Sequence, residues 1–148
     1  MKSKVKIKVA NKAHAYLGEL KASLRDFTIR AGALTGKEHP SGEALADVVM
    51  WNEFGTDKAP ERPFIRPAFT ENREGYMAAS RYIMLRKVQK KAYRPLIQDL
   101  GYQVVHDIQK KIDSGVAPEN KKSTQDKKGH GHTLIETGFM RDNMEFDV

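Results

Sequence analysis

The sequence predicts one α+β domain in which a small mixed sheet packs with about four helices and carries an extended proline-rich arm. Three short segments alternate apolar and polar residues, which is the period of a strand. Four longer segments repeat apolar residues every three or four positions, which is the period of a helix. The length of 148 residues suits one hydrophobic core, so we expect a single domain spanning 1–148.

The first three predicted elements are a strand, a helix and a second strand. Val5, Ile7 and Val9 alternate with lysines, and this pattern predicts an edge strand. Asn11 can cap the helix that follows. The buried stripe of that helix has four members, which are Ala13, Leu17, Leu20 and Leu24. Period-two spacing then returns in the second predicted strand, at Phe27, Ile29, Ala31 and Ala33.

A second helix and an arm follow a turn-rich loop. Ser41 is the expected N-cap of this helix, whose apolar positions run from Ala44 to Trp51, and Gly55 is placed to end it. Three of these residues, 48–50, could also form a buried strand, but the helical spacing favours a helix. Because Pro60, Pro63 and Pro67 restrict the backbone, residues 56–66 are predicted to form an extended arm outside the core.

The second half of the chain is predicted to be mostly helical. A third helix starts with Pro67 at its first position and runs toward Lys91. A fourth follows Pro95, ends at Gly115, and has a stripe formed by Leu100, Val104, Ile108 and Ile112. Residues 116–133 are polar and charged, so we expect a mobile surface loop. A helical turn at Thr137 and Gly138 and a strand over residues 144–148 complete the domain.

Composition excludes several classes of function. The chain contains no cysteine, which rules out disulfides, cysteine-ligated metals and thiol catalysis. No apolar stretch approaches the roughly 20 residues that cross a bilayer, so we expect no membrane partner. The N-terminal residues lack the pattern of a secretory signal, which favours synthesis in the cytoplasm.

Candidate catalytic and metal-binding residues are few. His130 and His132 could chelate a metal, but their glycine-rich surroundings favour a flexible polar loop by about ten to one. Glu43 and Asp47 lie at helical spacing, and a solvated helix face explains them better than an acid–base pair does. We therefore predict no enzymatic activity, no catalytic residue, no cofactor and no metal.

The net charge of +7 comes from one region, because residues 81–128 hold twelve Lys and Arg against five Asp and Glu. The cluster before Pro95 is formed by Arg86, Lys87, Lys90, Lys91 and Arg94. On one helix these residues would cover an arc of roughly 140° that could follow a phosphate backbone. A solvated helix end is favoured by about three to one, so nucleic-acid binding through 81–128 is the alternative function.

The unusual stretch of the sequence combines aromatic residues, arginines and prolines between Trp51 and Phe69. Such a segment can bind another protein with little loss of conformational entropy, or it can fold back on its own core. These two interpretations are evenly balanced on physical grounds. The candidate interaction residues are Trp51, Glu53, Phe54, Arg62, Phe64, Ile65, Arg66, Phe69 and Arg141.

Two motifs carry a resemblance to a known family. The first runs from Asn52 to Thr56 as Asn-Glu-Phe-Gly-Thr and continues through Pro60 to the Arg-Pro-Phe-Ile-Arg-Pro-Ala-Phe of residues 62–69. The second consists of Leu134, Ile135, Thr137, Gly138 and Arg141. In combination they resemble the tail-completion and head–tail joining (neck) proteins of tailed bacteriophages, the minor tail protein Z-like family.

The resemblance implies a structural protein of the virion without catalysis. It implies self-assembly into a ring, such as a hexamer, at the head–tail interface. The implied partners are the tail terminator or tail tube proteins on one side and the head connector or stopper proteins on the other. Contact with genomic DNA in the lumen of the ring is expected to be weak at most.

Overall fold

The computed structural model describes residues 14–18, 27–34 and 36–148. Helix α1 covers residues 14–18. The remaining elements in chain order are β1 (Arg30–Gly32), α2 (Leu45–Phe54), α3 (Ile65–Glu71), α4 (Arg73–Val88), α5 (Arg94–Asp113), α6 (Lys122–Lys128), α7 (Phe139–Asp142) and β2 (Glu145–Asp147). Helices packed on a small sheet make this an α+β fold, as predicted.

The sheet in the described part of the chain has two antiparallel strands, so the prediction of a mixed sheet is not met there. Ala31 of β1 lies opposite Phe146 of β2, which pairs the chain's second predicted strand with its last. Arg30 forms an ion pair with Asp147 at one end of the ladder. The other predicted strand, at residues 5–9, lies outside the described residues.

Helix α5 is the centre of the core. Its predicted stripe is confirmed, because Leu100, Val104, Ile108 and Ile112 are all buried. Pro95 lies in the first turn of α5, where a missing N–H costs nothing. Ile97 of the same helix is also buried. The remaining buried apolar residues of this core are Leu45, Val49, Phe64, Ala68, Ile83, Leu134, Met140 and Met144.

Helix α2 has the predicted type but not the predicted start. Residues 48–50 are helical rather than a strand, and Gly55 follows the last helical residue with a φ of 75°. Ser41 does not cap the helix, because Ala44 occupies the N-cap and makes no side-chain hydrogen bond. The Ser41 hydroxyl is instead hydrogen-bonded to Nδ1 of His39, at 2.8 Å.

The predicted third helix is two helices. α3 and α4 meet at Asn72, whose side-chain amide donates to the carbonyl of Ala68. The helical conformation begins at Ile65, so Pro67 is the third residue of α3 rather than the first. Ile83 is the buried residue of α4, while Tyr76 and Ala79 pack against the core from its edge.

The prediction that residues 56–66 lie outside the core is wrong. Phe64 is 0% exposed and is among the largest fully buried side chains of the described residues. Ile65 packs against the same core as the first residue of α3. Residues 56–59 form a turn in which Thr56 pairs with Ala59, so this part of the stretch is not extended either. The aromatic end of the stretch is buried, since burying a phenyl ring is worth about 2–3 kcal/mol.

Residues 116–133 are more ordered in the structure than a surface loop. They contain α6, and Asn120 and Thr133 are buried. The Thr133 hydroxyl accepts a hydrogen bond from the backbone N–H of Val116. The side-chain amide of Asn120 donates to the backbone carbonyl of His132. The predicted absence of regular structure is therefore wrong, and the mobility of the segment in solution stays a prediction.

The two ends of the described chain differ in how well they match the sequence patterns. The C-terminal helical turn and strand are confirmed as α7 and β2, and Gly138 occupies the N-cap of α7 with a φ of 82°. In α1, Tyr16 is 60% and Leu17 is 49% exposed, so Leu17 is not part of a buried stripe. Leu20 and Leu24 lie outside the described residues.

None of the helices in the described ranges is long and apolar enough to cross a membrane.

Candidate functional site

The first motif builds the connection between α2 and α3, which we call the α2–α3 joint (residues 52–55 and 61–67). Its centre is Glu53, which is only 3% exposed. The Glu53 carboxylate accepts hydrogen bonds from the backbone N–H groups of Phe64 at 2.7 Å, Ile65 at 2.9 Å and Arg66 at 2.9 Å. Because a helix begins with N–H groups that have no partner within it, Glu53 acts as the cap of α3.

Pro67 completes this arrangement. Phe64 occupies the N-cap position and has no side-chain acceptor of its own. The next two N–H groups, of Ile65 and Arg66, are bonded to Glu53, and Pro67 has no N–H to satisfy. Ala68 then donates to the carbonyl of Phe64 as the first regular bond of the helix. Every donor of the first turn is thereby satisfied or removed.

Arg66 binds the same acid through its side chain. Its Nε donates to Glu53 Oε1 at 2.9 Å, and its Nη2 donates to the backbone carbonyl of Glu53 at 2.7 Å and to Glu61 at 3.2 Å. The guanidinium also lies over the ring of Phe54, 4.7 Å from its centre. The charge of the buried carboxylate is thus balanced by the half-exposed guanidinium of Arg66, which reaches from α3 to the C-terminal end of α2.

The pKa of Glu53 reflects these contacts. Burial by itself raises the pKa of the carboxyl, because desolvation disfavours the charged form. The backbone N–H groups of Arg66, Phe64 and Ile65 and the Arg66 side chain act in the opposite direction and outweigh burial. The pKa of Glu53 therefore lies below its ordinary value, and the acid is ionised at neutral pH.

The other members of the first motif shape the end of α2. The carbonyl of Asn52 accepts a hydrogen bond from the Arg62 amide at 2.7 Å, and Arg62 Nε donates to the carbonyl of Pro118 at 2.7 Å. A Cβ at Gly55 would lie 2.8 Å from the backbone nitrogen of Glu61. Glycine is required there both by this close approach and by its positive φ.

An exposed apolar face of α2 lies beside this joint, and we call it the α2 patch (Met50, Trp51 and Phe54). Trp51 is 43% and Phe54 is 55% exposed, and Met50 is similarly open to solvent. Positions 50, 51 and 54 are neighbours on one side of a helix. Leu45 and Val49 are buried on the other side, so α2 is apolar on both faces. A helix of this kind normally has partners on both sides.

Eight of the nine predicted interaction residues therefore divide into two groups. Phe64 and Glu53 are buried, and Ile65 and Arg62 make contacts within the chain, so these four build the fold rather than a free surface. Trp51, Phe54, Arg66 and Phe69 have substantial exposed area. Met50 belongs with the exposed group and was not predicted, because the period of α2 alone does not tell which apolar side faces the core.

Arg141, the ninth residue, belongs to the second motif. Its guanidinium bridges Asp113 at 3.1 Å and Asp142 at 2.7 Å, which ties α7 to the end of α5. The Thr137 hydroxyl accepts from the Phe139 amide at 3.2 Å at the start of α7. Leu134 is buried in the core. This motif therefore anchors the C-terminal segment, and part of the Arg141 side chain stays accessible.

The basic cluster does not form one helical face. Arg86 and Lys87 lie in the last turn of α4, whereas Lys90 and Lys91 lie in the turn that follows, and Arg94 begins α5. Lys90 has a φ of 54°, which departs from helical geometry. The predicted continuous arc is therefore wrong, and these cations are gathered at the α4–α5 turn.

His130 and His132 make contacts within the chain. His132 Nε2 lies 3.0 Å from the carbonyl of Asp113, and the His132 amide donates to Nδ1 of His130 at 3.3 Å. Within the ranges that the structure describes, no group of three or more His, Asp or Glu side chains is arranged to hold a metal ion.

Comparison of this chain with protein-family models, with curated proteins and with solved structures found no match.

Proposed function

We propose that this chain is a structural virion protein of a tailed bacteriophage. In this proposal it forms a ring at the head–tail interface and joins or completes the tail, and no residue has a catalytic role. The resemblance of the two motifs to the tail-completion and neck proteins is the starting point. Its site of synthesis would be the host cytoplasm, and its final location would be the neck of the virion.

The observation that carries the proposal is the α2 patch beside the α2–α3 joint. Glu53 and Arg66 hold α2 and α3 together through buried charge-assisted hydrogen bonds, so the exposed Trp51 and Phe54 stand on a rigid support. Aromatic side chains on a rigid surface lose little entropy when they are buried by a partner, and such residues dominate binding energy in protein interfaces.

The proposed partners are those of a neck ring. Tail terminator or tail tube proteins would contact one side, and head connector or stopper proteins would contact the other. The α2 patch would supply the apolar centre of one of these contacts, with Arg66 beside it, since its guanidinium lies over the Phe54 ring. Phe69 is a further exposed aromatic side chain that a partner could contact.

The test uses a phage whose copy of this gene carries a nonsense mutation. If the proposal is right, infection yields filled heads and separate tails, and addition of the purified chain to the extract restores infectious particles. A Trp51→Ala/Phe54→Ala variant should restore at least roughly tenfold fewer, since loss of an aromatic anchor costs about 2 kcal/mol or more. Counting plaques and imaging the particles measure both results.

The matched control is Tyr102→Ala, which removes an aromatic side chain that is 66% exposed on α5. This variant should restore joining as the unaltered chain does. Both variants should unfold within a few degrees of the parent, because the removed side chains are substantially exposed and each contributes one ring contact, that of Phe54 with Arg66 and that of Tyr102 with Phe146. Joined, infectious particles in the absence of the chain would refute the proposed function.

A further inference from the structure

A groove of about 490 Å³ lies between α4 and α5. Its floor is apolar and includes Ala79, Ile83, Leu96 and Leu100. This volume is in the range of pockets that bind small molecules, which is enough for one or two large side chains. The groove is open to solvent and has no occupant from the described part of the chain.

The groove lining is acidic, although the whole chain is basic. Glu71, Asp99 and Asp107 line it, and no Lys or Arg does. Asp107 accepts hydrogen bonds from Tyr76 Oη at 2.7 Å and from Gln103 Nε2 at 3.0 Å. Glu71 forms an ion pair with Lys111, while the side chain of Asp99 is exposed at the rim. An occupant with apolar and basic residues would match both the floor and the rim.

Helix α1 has the matching chemistry. All five of its described residues are exposed, including Tyr16 and Leu17. The sequence before it, residues 1–13, contains five lysines and no acidic residue. The chain thus has an exposed helix that follows a basic sequence, and an acidic apolar groove, and no element among the described residues covers either of them.

We propose that α1 of one subunit packs into the α4–α5 groove of the next copy of this chain. Tyr16 and Leu17 contact the apolar floor, and the lysine-rich sequence before α1 supplies a positive charge that matches the carboxylates of the rim. This inference rests on the proposed function, since a neck protein needs a contact between copies to form a ring. It joins two different surfaces, and a head-to-tail contact of this kind closes into a ring when its rotation permits.

The test measures the mass of the full chain in solution by sedimentation over a range of concentrations. The unaltered chain should associate beyond a dimer. A helix variant, Tyr16→Ser/Leu17→Glu, and a groove variant, Gly75→Gln/Asp99→Lys, should each remain at the monomer mass of 16.8 kDa. Gly75 suits this purpose because a Cβ there meets no atom within 4 Å, so the new side chain leaves the fold intact.

An equimolar mixture of the two variants gives the decisive result. The helix variant keeps a working groove and the groove variant keeps a working helix, so the mixture should form a dimer of one copy of each and stop there. A Tyr102→Ser control should associate as the unaltered chain does. A monomeric unaltered chain, variants that associate normally, or variants that each dimerise alone would overturn the proposal.

Failure of this contact can be told apart from failure of the proposed function. If the variants associate normally while the purified chain still joins heads to tails, the contact is wrong and the function stands. If the helix variant and the groove variant are each monomeric and form a dimer when mixed, but the chain restores no infectious particles, the contact stands and the function is wrong.

Discussion

Glu53 supplies the N-terminal cap that α3 lacks in its own sequence. Glu53 lies eleven residues before Phe64, the first residue whose N–H donates to its carboxylate. The carboxylate accepts hydrogen bonds from three backbone N–H groups and from the Nε of Arg66. A buried anion is stable only when hydrogen bonds and an opposite charge replace its water. The α2–α3 joint supplies both, which gives the first sequence motif a role in folding as well as in the proposed contact.

Replacing Glu53 by Gln should destabilise the chain. Gln replaces one of the two acceptor oxygens of Glu53 by an NH2 donor, which leaves backbone N–H groups without an acceptor. It also removes the negative charge that balances Arg66. We expect a loss of roughly 2–3 kcal/mol in the free energy of unfolding, as for a buried charged hydrogen-bond acceptor. Urea denaturation followed by circular dichroism measures this change.

Glu61→Gln is the matched control, because Glu61 is an exposed acid that contacts the same arginine at 3.2 Å. Exposed ion pairs contribute little, so this variant should stay within about 0.5 kcal/mol of the parent. Equal losses in the two variants would contradict the role assigned to Glu53.

Glu53 should also make stability depend on pH on the acid side. Its pKa in the folded chain lies below that in the unfolded chain, which is about 4.3 for a glutamate. Its stabilising contribution is therefore fully present above about pH 4.3 and is lost as the pH falls through the folded-state pKa. Unfolding free energies measured from pH 7 down to pH 3 should decrease more steeply for the parent than for Glu53→Gln.

The same pH series on Glu61→Gln should keep the steep dependence of the parent. A Glu53→Gln variant with an unchanged slope would show that the carboxylate is equally stabilised in the unfolded chain.

At the scale of elements, the sheet packs on α5 at Gly101, beside the ring of Phe146 in β2. A Cβ at position 101 would lie 2.2 Å from the Phe146 ring, which is far inside van der Waals contact. The ring also packs edge-on against Tyr102, with ring centres 4.8 Å apart. Glycine in the middle of this long helix thus lets the sheet lie directly on the helix backbone.

Gly101→Ala should therefore be destabilising, although alanine is the better helix former. Overpacking of a filled site costs about 1–3 kcal/mol, and this exceeds the helix-propensity gain of about 1 kcal/mol. Thermal unfolding measures the result as a lower melting temperature.

Gly75→Ala in α4 is the matched control, since a Cβ there meets nothing within 4 Å. That variant should be more stable by roughly 0.5–1 kcal/mol. A rise in stability at both positions would mean that Phe146 can move away from α5 at little cost.

At the scale of the whole molecule, the net charge of +7 is spread over several elements. The cations of the predicted cluster are divided among α4, the turn after it and α5, and further lysines lie on α6. Cations distributed in this way contact phosphates without reading base sequence. Weak binding of this kind also suits a ring through which DNA would pass.

We therefore expect weak, sequence-independent binding of the chain to duplex DNA. At physiological ionic strength the dissociation constant should be on the order of 10⁻⁴ to 10⁻⁶ M and should rise steeply with added salt. Fluorescence anisotropy with two duplexes of unrelated sequence checks both statements. Nanomolar affinity, or a clear preference for one duplex, would favour the nucleic-acid-binding alternative over a structural role.

Much of the fold is predicted by the local periodicity of apolar residues. The α+β class, the helical state of α2, the buried stripe of α5 and the final strand were all predicted. Each of these predicted features depends on residues a few positions apart, whose spacing indicates which side of an element is apolar. The turn at Gly55 was predicted for the same reason, because the need for a positive φ is local.

Two of the predictions that failed depended on contacts between distant residues. Whether Phe64 joins the core is decided by Glu53, which draws the start of α3 inward from eleven residues away. Which apolar side of α2 stays exposed is decided by the position of the common core, which Leu45 and Val49 join.

By itself, the sequence determined the class of fold, most of the helices and the absence of cysteine chemistry. Composition and the spacing of nearby residues do not depend on tertiary contacts. Only the tertiary structure decided that Glu53 caps α3, that Trp51 and Phe54 remain exposed, and that an acidic groove opens between α4 and α5. These features come from the packing of separate elements, and no local pattern specifies how two elements meet.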